Sequence, residues 1–193
     1  MSGIKYSLRQ ESTSFSIGTT NLRSSNGSLI DTNGCVALLV LSGFAVATIN
    51  FEKRILRKGD FVLLFYDSTF SMLSISAAFS VRYVSFAYHL IEEAIYKPLS
   101  INFWNTIYSN PVFRPNERDF KLLVEWWYQM EWVNNIKDYD YQEEILKNNI
   151  RNLLVATDIE IMDHAGDSMR NSRGNAWMLV NRFFRLLSSY CRE

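Results

Sequence analysis

The chain has 193 residues, with 20 Lys and Arg balanced by 20 Asp and Glu, so its formal net charge is zero. That balance argues against a surface that grips nucleic acid by itself, because phosphate binding draws on a basic surplus. With 48% hydrophobic and 15% aromatic residues, the chain suits one domain with an appended subdomain and buries its core without disulfides or metal.

Residues before Gly34 are rich in Ser, Thr, Asn and Gly and read as an arm, with Phe15 and Ile17 offering one short strand. Asn26-Gly27 is turn material. Cys35–Ser42 is apolar at nearly every position, so both its faces should be covered. Gly43 permits a sharp bend, and Phe44–Phe51 is expected to continue as a strand. Arg57-Lys58-Gly59-Asp60 is a polar turn, followed by strands at Phe61–Tyr66, Phe70–Ile75 and Phe79–Tyr88. Short strands at regular spacing predict an antiparallel barrel or sandwich, with something packed outside it as well as inside.

After this the period changes. Leu90–Ile95 reads as a short helix or bend, and Leu99–Phe113 as irregular chain. Asn116 is placed to cap a helix whose first turn carries Glu117 and Asp119. Its apolar residues cover an arc of roughly 200°, wide enough for two neighbours. A second long helix is expected from Asp140, with Asp140 and Glu143 as a capping box. Its main stripe holds Leu146, Ile150, Leu153, Leu154 and Ile161. Asp163–Asn175 reads as a loop, and Ala176 to about Cys191 as a last helix with one apolar stripe.

Chemistry is sparse. No Gly-rich phosphate loop, nucleophile elbow or HExxH occurs. His89 and His164 stand alone, so no metal site and no cofactor are expected. Cys35 and Cys191 read as free thiols. The N-terminus lacks a signal-peptide core, and the longest apolar run, Cys35–Leu41, is too short to cross a bilayer, so a cytoplasmic location is expected. Arg82 sits mid-strand among apolar residues. It either points inward, where it can grip a carboxylate or sugar hydroxyls, or lies at a rim and is paired outside. Tyr66, Tyr83 and Tyr88 are placed to line the same cavity, and Tyr66, Arg82 and Tyr88 are the candidate ligand contacts. Trp126 and Trp127 are expected to divide between core and a dimer surface, with Ile150 and Leu154 joining that surface.

The segment Ile55–Phe86, ILRKGDFVLLFYDSTFSMLSISAAFSVRYVSF, resembles the sensor barrel of AraC-type transcriptional regulators. There a Lys/Arg-Gly-Asp turn feeds an apolar strand, a short break and a strand ending in an aromatic. Asn181–Tyr190, NRFFRLLSSY, is similar to the F-x-x-L-L segment before that family's helix-turn-helix motifs. The likeness covers about residues 33–193. It implies an α+β fold, with an N-terminal arm and cupin-like antiparallel β-barrel (a double-stranded β-helix) over residues 1–95 and a helical dimerisation subdomain over 96–193. It also implies a homodimer, a small-molecule effector, and control of DNA binding through a helix-turn-helix domain. Such a domain would begin where this sequence ends, so the chain is expected to be the sensor and dimerisation part and not an enzyme. A metal-dependent cupin would need a His-x-His pattern, which the strands lack. A metal-independent cupin enzyme and a free-standing module that antagonises a full-length regulator are the rival readings.

Overall fold

The structure is a computed structural model that describes residues 6–25 and 27–171, with side chains as far as residue 162. In chain order the elements are β1 (Tyr6–Ser7), β2 (Phe15–Thr20), β3 (Leu29–Asp31), β4 (Cys35–Ser42), β5 (Phe44–Ile49), β6 (Glu52–Arg57), β7 (Phe61–Phe65), β8 (Phe70–Ile75), β9 (Ser80–Phe86), α1 (Tyr88–Ala94), α2 (Ile101–Ser109), β10 (Val112–Phe113), α3 (Glu117–Asn134) and α4 (Tyr139–Asn171). The chain divides into two compact units, Met1–Asp158 and Ile159–Glu193.

The strands form two five-stranded sheets, in the orders β1-β3-β8-β5-β6 and β10-β7-β4-β9-β2. All pairings are antiparallel except β1 with β3. The expected closed barrel is therefore corrected to two open sheets, with β1 and β6 at the edges of one and β10 and β2 at the edges of the other. The chain passes between the sheets through turns. Gly43 makes one such turn, with φ +68° and backbone of Phe79 within 2.5 Å of where a Cβ would stand. Only glycine takes that conformation at that approach.

One core fills the space between the sheets. Val36, Leu38 and Val40 of β4, Val62 and Leu64 of β7 and Val81 of β9 meet Ala45, Ala47, Ile49, Leu56, Phe70 and Met72 of the other sheet. Side chains alternate along a strand, so Ala37, Leu39, Phe61, Leu63, Phe65, Val84 and Phe86 must face the opposite way. They are buried too. Helices cover that second face: Phe61 packs edge-on to Trp127 at 6.2 Å, Phe65 to Phe103 at 6.1 Å and Phe86 to Trp126 at 6.5 Å. This explains why β4 and β7 are apolar on both sides.

Several local expectations change. The apolar run expected to continue through Phe51 is cut at Ile49 by a two-residue turn, Asn50-Phe51, and returns as β6. Residues 101–109, expected to be irregular, form α2, because Ser100 accepts the Phe103 N–H as its cap. Asn116 caps α3 as expected, accepting from Asp119 N. At the next helix Asp138, not Asp140, receives the N–H groups of Asp140 and Tyr141. Helix α4 continues through Asn171, over residues read as a loop. Residues 172–193, including the expected last helix and Cys191, lie outside the described residues. Cys35 is a buried free thiol, and burial pushes its pKa up.

Candidate functional site

Strand β9 sorts the expected ligand contacts by parity. Tyr83 packs against the core between the sheets, whereas Arg82 points the other way, toward the helices. There its guanidinium lies 4.6 Å from the centroid of the Tyr128 ring on α3. Arg82 thus belongs to the sheet–helix seam rather than to an inward cavity.

Tyr66 and Tyr88 do come together. Their rings meet edge to face at 5.1 Å. Both are exposed, at 59% and 41%, so the pair is a surface feature. A hydrogen bond with Glu92 raises the Tyr88 pKa. Arg82 lies four residues before Phe86 along β9, about 13 Å of strand, and the pair stands beyond that end. The structure therefore does not gather the three residues into one site.

The residues expected at a dimer surface fall mostly inside the protomer. Trp127 and Leu154 are fully buried, Ile150 is 1% exposed, and Trp126 is half-buried against Phe86. The solvent-facing arc of α3 carries Leu122, Tyr128 and Trp132 instead.

An open cleft of about 1110 Å³ runs beside the arm and the edge strand β2. Its walls include Leu8, Arg9, Phe15, Ile17, Tyr83 and Asn134. Strand pairing sets Gly18 opposite Tyr83, and the Tyr83 ring lies over the glycine, 3.1 Å from where a Cβ would stand. A side chain at position 18 would displace the ring, so this glycine shapes the wall. The Tyr83 hydroxyl lies 3.5 Å from Ser16 Oγ.

Arg9 supplies the cleft's cation. Its guanidinium donates to the carbonyls of Gln10 at 3.1 Å, Thr13 at 2.6 Å and Asn33 at 3.4 Å. Its Nε is buried with no hydrogen-bond partner, and Arg9 makes no ion pair among the described residues. The arm is thus wound around Arg9, with the carboxylates of Glu11 and Asp31 also on the cleft walls but outside ion-pair distance. Sequence reasoning missed Arg9, since nothing in a Ser- and Thr-rich arm marks one arginine as a brace. A second cavity of about 460 Å³ lies between α1 and α4, where Lys147 bridges Glu93 and Glu143. Among the described residues no group of three or more His, Cys, Asp or Glu is placed to hold a metal ion, and no helix is long and apolar enough to cross a membrane.

Two facing sheets with helices on one outer side are a fold shared with solved structures of low sequence identity. Structural neighbours include forms of ToxT from Vibrio cholerae, an AraC-family regulator. The apo K231A form from strain SCE256 matches with TM-score 0.52 and 16% identity, over 79% of this chain and 59% of that chain. The unsaturated fatty acid-bound wild-type form from the same strain matches with TM-score 0.48 and 14% identity, over 81% of this chain and 57% of that one. The present chain spans less than two thirds of the length of either neighbour. No protein-family profile and no characterised protein matches it in sequence.

Proposed function

We propose that this chain is the effector-sensing and dimerisation part of an AraC-type transcriptional regulator, controlling DNA binding by an attached helix-turn-helix domain. The observation that carries the reading is the fold shared with ToxT over 79% of this chain. The sheets of residues 1–95 would sense the effector, and the helices of 96–193 would pair with a second protomer. With Trp127, Ile150 and Leu154 buried, pairing falls to the exposed arc that holds Leu122 and Trp132.

The arm cleft is the effector site in this reading, in place of a cavity built on Tyr66, Arg82 and Tyr88. The Arg9 guanidinium, among the described residues the one cation on walls that also hold Glu11 and Asp31, stands beside Leu8, Phe15, Ile17 and Tyr83 and fits an amphipathic monocarboxylic acid. The charge pairs with Arg9 and the chain lies along the apolar wall. Occupancy would order the arm and shift the helices that set the spacing of two DNA readers.

The test is titration with a long-chain monocarboxylic acid, followed by tryptophan fluorescence and native mass spectrometry. Arg9→Gln should weaken binding at least tenfold, and Gly18→Val should do the same by displacing Tyr83. Arg82→Met should leave binding unchanged. Equal binding by wild type and Arg9→Gln removes the cleft from the reading. Sedimentation velocity on wild type and Leu122→Glu tests the dimer, which the substitution should weaken; a monomer at every concentration removes it.

A further inference from the structure

The first sheet ends on β6, an edge strand. Its hairpin with β5 closes on Asn50 and Phe51, both at positive φ, so Ile49 and Glu52 form the first hydrogen-bonded pair. Bonded and non-bonded pairs then alternate, which turns the backbone groups of Lys53, Ile55 and Arg57 outward. Those of Arg57 are occupied: its N–H donates to Asp60 Oδ2 at 2.8 Å, and its carbonyl accepts from Asp60 N at 2.9 Å. Lys53 and Ile55 are left with N–H and C=O groups directed away from the sheet, a short template for one more strand.

The side chains around this edge have a matching character. Leu56 points into the core, so Lys53, Ile55 and Arg57 stand on the outer face, opposite Thr48, Val46 and Phe44. Ile55 is 49% exposed and Phe44 56%, and Leu73 on the same sheet is 47% exposed. Phe51 at the hairpin tip is 82% exposed, at a φ of 67° that bulky residues rarely adopt. The tip is anchored by the Asn50 side chain, whose Nδ2 donates to the Tyr108 carbonyl at 2.7 Å while its Oδ1 accepts from Thr69 N at 3.0 Å. Lys53, Arg57 and Lys58 make no ion pair among the described residues.

Charge decides between occupants. A second copy pairing antiparallel through β6 and centred on Ile55 would set Lys53 directly against Arg57 twice. Centred on Arg54, it would set that arginine against itself. Like charges in direct opposition destabilise a ladder. Lys53, Ile55 and Arg57 share one face, so an added strand meets all three with every second residue, and two acidic residues flanking an apolar one on that face would meet Lys53 and Arg57 around Ile55.

We propose that the outer edge of β6 is a docking site for an extended acidic segment of another protein, added as a sixth strand whose outer face carries two acidic residues with an apolar one between them. The site is separate from the arm cleft and does not depend on effector binding.

The probe is a labelled synthetic peptide of roughly ten residues built around Glu-Thr-Val-Thr-Glu, which puts both Glu and the Val on one face, and long enough to span β6. The same peptide with Lys in place of Glu is the control, and binding is read by fluorescence anisotropy. The acidic peptide should bind and the basic one should not, with affinity falling at least tenfold in the Lys53→Glu, Arg57→Glu double variant. Hydrogen exchange at the amides of Lys53 and Ile55 should slow in the complex, while that of Arg57, already bonded to Asp60, should not change. Equal binding of both peptides, no binding of either, or unchanged exchange at Lys53 and Ile55 overturns the proposal. So does binding confined to phosphatidylserine-containing vesicles, which would make the patch a membrane contact. The single variant Ile55→Thr keeps strand propensity and charge, and it should weaken binding through the apolar contact alone.

Discussion

Asp158 of α4 holds the start of α2 through Ser100. Its Oδ2 accepts the Ser100 N–H at 2.8 Å and its Oδ1 the Ser100 hydroxyl, while Ser100 Oγ accepts from Phe103 N at 3.2 Å. Two elements 58 residues apart thus share one cap. Asp158 is 7% exposed, so these bonds form where water competes poorly.

Removing the carboxylate should leave a buried helix start without its acceptor. Asp158→Ala is expected to cost about 2–3 kcal/mol and Asp158→Asn about 1–2, by urea denaturation. Ser100→Ala alone should cost about 1 kcal/mol. The double variant should cost less than the sum, because each substitution removes the same network. Strict additivity would show that the two side chains act independently.

Phe51 makes a prediction of opposite sign. It occupies the second turn position, at φ 67°, with its ring in solvent. A non-glycine residue there costs about 1–2 kcal/mol, and the exposed ring returns little of it. Phe51→Gly should therefore raise the unfolding free energy by up to about 1 kcal/mol, and the midpoint with it, the gain being reduced by the larger entropy of glycine in the unfolded chain. A lower midpoint would mean that the ring makes a stabilising contact in solution.

The same turn shows what could be read in the sequence and what could not. Cys35–Ser42 and Phe70–Ile75 were legible to the residue, because continuous apolar runs ended by turn residues have one reading. Asn50-Phe51 was not, since phenylalanine is a poor turn residue and the hairpin depends on Asn50 being tied to Tyr108 and Thr69, partners distant in sequence. Helix α2 was missed for a related reason: its cap is completed by Asp158, far along the chain. The pattern of α3 was read correctly as two-faced, but both faces were assigned too much. Sheet packing absorbs Trp127, and what faces solvent is Leu122, Tyr128 and Trp132. For the site, adjacent residues of a strand face opposite ways, so Arg82 and Tyr83 do not line one cavity as the sequence reading expects: Tyr83 meets the core and Arg82 the helices.

The pair of ion bridges at Lys147 should give a small, bell-shaped pH dependence. Lys147 Nζ lies 2.5 Å from Glu93 Oε2 and 2.8 Å from Glu143 Oε1, tying α1 to α4. The hydrogen bond from Lys147 holds the Glu143 carboxyl below its usual range, and the bonds to Glu143 and Glu93 raise the Lys147 pKa. The Glu143 contribution is present above the unfolded carboxylate value of about 4.3 and is lost as pH falls through the lower folded value. The Lys147 contribution is present below about 10.4 and is lost as pH rises through the higher folded value. Lys147→Met should lower the unfolding midpoint by a constant small amount between about pH 6 and 9. The difference from wild type should shrink toward acid. A difference that persists unchanged at pH 3 would assign the effect to packing of the lysine stem.

Adjacent tryptophans on α3 supply the last prediction. Trp126 and Trp127 meet edge to face at 5.0 Å, and the indole N–H of each is buried without a hydrogen-bond partner. Neither donor meets a protein acceptor, so Trp127 is held by its volume against Phe61. Trp127→Ala should cost about 3–5 kcal/mol, the range for a large aromatic removed from a packed core. Trp127→Phe keeps an aromatic edge for Phe61 and removes the unpaired donor, so its cavity cost is partly offset and should stay below about 2 kcal/mol. Urea denaturation of the two variants checks the difference. A Phe variant as unstable as the Ala variant would mean that the indole N–H has a partner in solution, which a bound water bridging to a neighbouring carbonyl would supply.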